Sequence, residues 1–317
     1  MPRFRIYAAV FGFAMASAVS SVTCYAWDRG DVDVLTVLPD VRPGVQSSVE
    51  GLTVGPEDNI YVPSFGFNTA GAITGNAVLF VIKPDGTLVR QVTIANSSPH
   101  MLGLAFNPVT KALWMLDFGA GTILKVDPVT GASSVLAGPI SGAALNALTF
   151  DKAGNGYVSD SFNGVIWKVP PSGGPATAWS SDALLGPGTG LTPPFGANGV
   201  EFNKERTALF VANTALHQIV RIPVNPDGSA GTASVFVTGI NPDGIMIDSQ
   251  DNIWICANQE DEIVVIDKTG KVIAKLGDFD GIDHHGMAQG FLFPASLAFS
   301  LPGCVVVGCA VVVVLPG

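Results

Sequence analysis

A five-residue pattern returns six times along this chain, and its spacing limits the fold more than any other feature. The copies start at Glu50, Leu102, Asn146, Asn198, Asp243 and Ala295, separated by 52, 44, 52, 45 and 52 residues. The second place is always small (Gly51, Gly103, Ala147, Gly199, Gly244, Ser296). The third and fifth are apolar, from Leu52 and Val54 to Leu297 and Phe299, which is the alternation of a half-buried strand. The copy from Asn146 to Gly174 is the clearest, with three short strands separated by Gly-, Asn- and Pro-containing turns. Third strands are expected at 77–82, 122–126, 165–169, 218–222 and 262–266. Fourth strands follow at 88–94, 132–136, 176–179, 233–237 and 272–276.

A lone meander of this kind cannot bury its two faces. Repeats of roughly 40–50 residues with several strands each solve that by radial stacking. The chain is therefore expected to be an all-β, six-bladed β-propeller with four-stranded antiparallel blades. The last copy is short: after Phe299 come only Val305-Val306-Val307 and the apolar run to Val314. A strand at 33–38 is expected to join that blade and close the ring, which removes the open sheet edge.

Residues 1–26 read as a secretory signal peptide, with Arg3 and Arg5 ahead of an apolar run and small residues before Ala18 and Ala26. Residues 27–317 then form one propeller domain, with no membrane span in the mature chain and a secreted or periplasmic location. Charged residues make up only 13% of the chain and the net charge is −10, with no cluster of Lys and Arg. That composition argues against nucleic acid as a partner and suits the holding of cations. Cys256, Cys304 and Cys309 remain after signal removal, and their pairing is left open by the sequence.

Equivalent places in a propeller sit at equivalent heights around the central channel. Four of the six first places, Glu50, Asn146, Asn198 and Asp243, carry side-chain oxygens, and two are carboxylates. Each alone would read as turn chemistry at a strand start. Four in register read instead as a site for one hard divalent cation.

The stretches Glu50-Gly51, Asn146-Ala147 with Phe150 to Asn155, Asn198-Gly199 and Pro242-Asp243-Gly244 resemble, in the same order, those of the SMP-30/gluconolactonase/LRE-like family. The resemblance implies a six-bladed propeller with one catalytic divalent metal, Ca²⁺ foremost and Zn²⁺ or Mg²⁺ as alternatives, and hydrolysis of a lactone. It implies that Glu50, Asn198 and Asp243 are metal ligands and that Asn146 contacts substrate or a metal-held water. It makes Asp243 the general base. His100, after Pro99, is similar in placement to a catalytic His of paraoxonase-like lactonase propellers. Where sugar lactonases of the family often carry an Arg, two residues before Asn146, this chain has Ala144. His284 and His285 precede the last copy in a Gly-rich loop, 278–290, placed to lie over the channel.

There is no Gly-x-Ser-x-Gly elbow, dinucleotide fingerprint or phosphate-cradling loop, so covalent serine catalysis is disfavoured. The sequence thus points to a secreted metal-dependent hydrolase of a small lactone or ester. The alternatives are a non-catalytic ligand- or protein-binding propeller with a structural ion, and a lyase-type propeller using His100 with a metal.

Overall fold

The computed structural model describes residues 5–6, 31–32, 34–41, 49–65, 74–189, 194–284, 288–300 and 304–309. Five four-stranded antiparallel sheets follow one another along the chain, each in simple meander order. The first holds Thr53–Val54, Ile60–Pro63, Val78–Ile82 and Leu88–Thr93. The second holds Met101–Phe106, Leu113–Asp117, Thr122–Val126 and Ser133–Ala137. The third runs from Leu145–Phe150 through Gly156–Asp160 and Val165–Val169 to Thr177–Ser181. The fourth comprises Ala197–Phe202, Ala208–Asn213, Gln218–Pro223 and Ser234–Thr238. The fifth comprises Pro242–Ile247, Ile253–Ala257, Glu262–Ile266 and Val272–Leu276.

Burial falls outward within each blade. In the second sheet, Leu113–Asp117 is wholly buried whereas only Ala137 of Ser133–Ala137 is. The fifth place of the repeat explains how blades adhere. Phe106, Phe150, Phe202 and Phe299 each meet an aromatic ring from the preceding sheet's second strand: Tyr61, Trp114, Tyr157 and Trp254. Centroids lie 4.9–5.7 Å apart in edge-to-face geometry, the arrangement ring quadrupoles favour.

The small second place has an equally direct cause. A Cβ added to Gly51 would stand 2.2 Å from the carbonyl oxygen of Leu102, and one on Gly103 would stand 2.5 Å from that of Asn146. Gly199 and Gly244 meet the carbonyls of Asp243 and Ala295 in the same way. Neighbouring inner strands therefore touch backbone to backbone. Gly51→Ala is expected to cost about 1–3 kcal/mol through overpacking, read as a lowered melting temperature.

The expectation of six four-stranded blades holds for five. Among the described residues the sixth place is taken by a two-stranded sheet, Pro294–Ser300 with Cys304–Cys309. Residues 310–314, expected as a further strand, lie outside the described residues. Among the described residues the closing strand expected at 33–38 appears only as a single β-bridge at Thr36. Asp31–Val32 pairs in parallel with Arg5–Ile6, and Leu35, Leu38 and Val41 pack as side chains on the first sheet's core. Ala298 joins that same cluster, so the two-stranded sheet touches the first blade as well as the fifth. The 278–290 loop contains a short hairpin, Phe279–Ile282 with Ala288–Gly290, that its glycines conceal in the sequence.

Cys256 is buried in the fifth sheet, and Cys304 and Cys309 begin and end the last strand. Among the described residues no helix is long and apolar enough to cross a membrane.

Candidate functional site

The first place of the repeat is set by a local irregularity in every inner strand. Register with the second strand slips between Met101 and Leu104, Leu145 and Leu148, Ala197 and Val200, Pro242 and Ile245, and Pro294 and Ser296. Leu102, Asn146, Asn198, Asp243 and Ala295 all fall inside these bulges. A bulge leaves one residue out of the ladder and re-aims its side chain. In the first sheet Val49 bridges Ser64 while Thr53 pairs Tyr61, which puts Glu50 in the equivalent place.

Three of the four expected residues converge. The Asp243 carboxylate is 7% exposed and accepts a hydrogen bond from Nδ2 of Asn258 at 2.8 Å. Asn198 also hydrogen-bonds to it. Burial pushes Asp243 up to about 7, against the lowering effect of Asn258 and Asn198. Glu50 is pushed up to about 8, first by burial and then by the negative charge of Asp243. That effect of Asp243 on Glu50 requires the two carboxylates to be near neighbours, although they belong to the first and fifth blades.

Asn198 is 4% exposed and donates from Nδ2 to the Thr214 hydroxyl at 3.0 Å. Thr214 passes the bond on to the carbonyl of Pro242 at 2.7 Å, tying the fourth inner strand to the fifth. The Oδ1 atoms of Asn198 and Asn258 are buried with no hydrogen-bond partner. Orphaned buried oxygens are costly, and two at one place mark a site shaped for something else. Asn146 occupies the equivalent bulge one blade away, half-buried, without a bond to Glu50, Asn198 or Asp243 among the described residues.

His100 is held apart from these three. It bridges Phe65, its ring lies 5.3 Å from that of Phe65, and its Nδ1 is buried without a partner. Burial lowers its pKa, with Asp117 opposing. Asp117 is itself fully buried and accepts from the Ser98 backbone at 2.7 Å and the Ala120 backbone at 2.9 Å. Among the described residues no hydrogen bond joins His100 to Glu50, Asn198 or Asp243. His284 is exposed, and His285 lies outside the described residues.

Sequence reading missed Thr214 and Asn258. Both directly follow a second strand, Ala208–Asn213 and Ile253–Ala257, which is also a repeat-equivalent place. A tabulation of second-strand ends beside inner-strand starts would have found them.

Deeper in the channel, the inner strands of all five blades and of the two-stranded sheet line a cavity of about 250 Å³. Its far end is crossed by Glu201, which accepts from Thr149 Oγ1 at 2.7 Å and pairs with Arg206 at 3.0 Å.

Fold and site together define a β-propeller with a carboxylate-and-amide pocket at one mouth of its channel. Residues 193–277 match the family described as SMP-30/Gluconolactonase/LRE-like region, so the resemblance drawn from Asn198 and Asp243 stands over that stretch. A gluconolactonase from Xanthomonas campestris superposes with a TM-score of 0.60 at 15% identity, covering 90% of this chain and 94% of that one. A chain of a nidogen/laminin complex does so with 0.61 at 14% identity, covering 86% and 98%. A streptogramin B lyase gives 0.54 at 12% identity, covering 88% and 94%. At these identities the likeness is one of fold. No curated protein sequence matches the chain.

Proposed function

We propose that this protein is a metal-dependent hydrolase of a lactone or small ester, exported by its N-terminal segment and built as a six-bladed ring. One observation carries the reading: Glu50 and Asp243 repel each other in a buried pocket that also holds two orphaned amide oxygens. Two carboxylates with amide oxygens form the donor set of a hard divalent cation, Ca²⁺ foremost. Glu50, Asn198 and Asp243 offer oxygen donors alone, which favours a hard cation over a softer Zn²⁺ centre. Glu50, Asn198 and Asp243 would hold the ion, with Asn146 towards the substrate.

A divalent cation there would supply Lewis-acid polarisation of an ester or lactone carbonyl. The chain's own part is orientation and proton transfer. Asn258 and Asn198 orient the Asp243 carboxylate, which would take the proton of the attacking water. The buried, partly apolar channel below limits competing water.

The test is acid release from a panel of sugar and aliphatic lactones, with Ca²⁺ and after chelation. Metal-dependent turnover is expected. Folded protein that turns over nothing under either condition would leave the binding-propeller reading in its place. Turnover that survives Glu50→Ala but is lost in His100→Ala would favour a His-led mechanism.

A further inference from the structure

The mouth that holds the carboxylate pocket also carries an arc of aromatic rings apart from the inter-blade pairs at the fifth repeat place. Phe65 lies 5.7 Å from Phe118 edge to face, and His100 tilts against Phe65 at 5.3 Å. Phe118 meets Phe162 at 6.0 Å, and Phe162 stacks on Phe195 at 5.8 Å with their planes 8° apart. Each of the first four blades contributes. Phe65, Phe118 and Phe162 follow second strands, and Phe195 leads into the fourth inner strand. The inter-blade rings at the fifth repeat place form a separate set, deeper in the fold.

Phe162 keeps 47% of its surface exposed although it is stacked. The connections that carry these rings are held firmly. Asp117 anchors the turn at Phe118, and the fully buried Asp160 accepts from the Asn163 backbone and side chain at 3.1 and 2.8 Å. Phe118 and Phe195 are half-buried beside Phe162 and Phe65, 5% exposed, backs them from below, so the rings on these rigid supports offer one edge to solvent.

Two short links join the arc to the pocket. Ser64, beside Phe65, bridges Val49, beside Glu50. Ser161, beside Phe162, donates its hydroxyl to the carbonyl of Ala197, beside Asn198, at 2.8 Å.

Charge then narrows the occupant. In the sequence, the connections from second to third strand and from fourth strand to the next blade contain no Lys or Arg in any of the five blades. Lys83, Lys111, Lys152, Lys204, Lys268 and Lys271 belong to turns at the opposite end. Lys275, on an outer strand, is tied to Glu262. Arg42, ahead of Glu50, lies outside the described residues. A ligand carrying its own carboxylate or phosphate meets acidic groups here and no described counter-charge from the protein.

We infer that Phe118, Phe162 and Phe195, with His100 and backed by the buried Phe65, bind the apolar part of the substrate, so that the preferred substrate is a neutral lactone or ester with an aromatic or extended aliphatic group. The inference rests on the hydrolase reading for the word substrate, but the binding itself is measurable without turnover. Lactams serve as probes because they keep the ring and carbonyl and resist hydrolysis. Calorimetry would compare 3,4-dihydro-2-quinolinone with gluconolactam on the Ca²⁺-loaded protein, on Phe162→Ala and on Phe195→Ala, each checked for an unchanged melting transition. The aromatic lactam is expected to bind at least about tenfold tighter than the sugar lactam, and each variant to weaken it about three- to tenfold, the size of one ring contact. Gluconolactam binding should move less than about twofold. Tighter binding of the sugar lactam, or aromatic binding that ignores both variants, overturns the inference. Absent lactone turnover with these binding results intact would sink the hydrolase reading and leave the arc.

Discussion

Replacing Asp243 by Asn is expected to lower lactone or ester turnover by about a hundredfold or more while leaving the protein folded. The substitution keeps the shape and one oxygen of the side chain, so the bulge in Pro242–Ile247 and the bond from Asn258 have a partner still. It removes the charge that raises Glu50 and the base that accepts a proton. Folding need not suffer, because a buried carboxylate beside another is a burden on the metal-free fold rather than a support for it. Steady-state rates and a melting curve on the same preparation separate the two effects. A variant with wild-type rates would remove Asp243 from the chemistry.

The second effect is on stability. Glu50 stands at about 8 and Asp243 at about 7 in the metal-free fold, both far above ordinary carboxylates near 4.5 and 3.8. The folded protein therefore binds these protons more tightly than the unfolded chain does. Their contribution is fully present below about pH 4 and is lost as the pH rises through about 7 to 8. The metal-free protein is expected to melt several degrees lower at about pH 8 than at about pH 5, and Glu50→Gln is expected to flatten that slope. Other carboxylates act oppositely. Asp85, Asp127, Asp227 and Asp267 are lowered by hydrogen bonds in their turns, but these turns are exposed and weigh less. A slope unchanged by Glu50→Gln would show that the pocket pair does not govern it.

Much of this was legible in the sequence because a propeller repeats its physics. The small second place and the apolar third and fifth places are imposed five or six times by the same backbone contact and the same inter-blade ring pair, so Gly51, Gly103 and Phe150 announce one another. Several strand bounds follow directly, such as Thr122–Val126 and Glu262–Ile266. Glu50, Asn198 and Asp243 were legible for the same reason, being polar at a place the repeat fixes. Asn258 and Thr214 were not, since a polar residue after a strand looks like turn chemistry until the site is seen around it. The aromatic arc was hidden more deeply. Phe65, Phe118, Phe162 and Phe195 sit on connections of unequal length, so no fixed spacing links them. The sixth blade was legible only in part, because a strand count cannot say how the segment at 33–38 meets the last sheet; Leu35 and Leu38 pack on the first sheet's core.

Everything proposed for the pocket depends on its holding a divalent cation. The direct measurement is the melting temperature of metal-stripped protein at about pH 8 with and without saturating Ca²⁺, beside Asn198→Ala and Glu50→Gln. Wild type should gain about 5–10 °C, as binding well above the dissociation constant implies for a chain of this size, and both variants should gain far less. No gain with Ca²⁺, Mg²⁺ or Zn²⁺, or an equal gain in all three proteins, would contradict a cation centre at Glu50, Asn198 and Asp243.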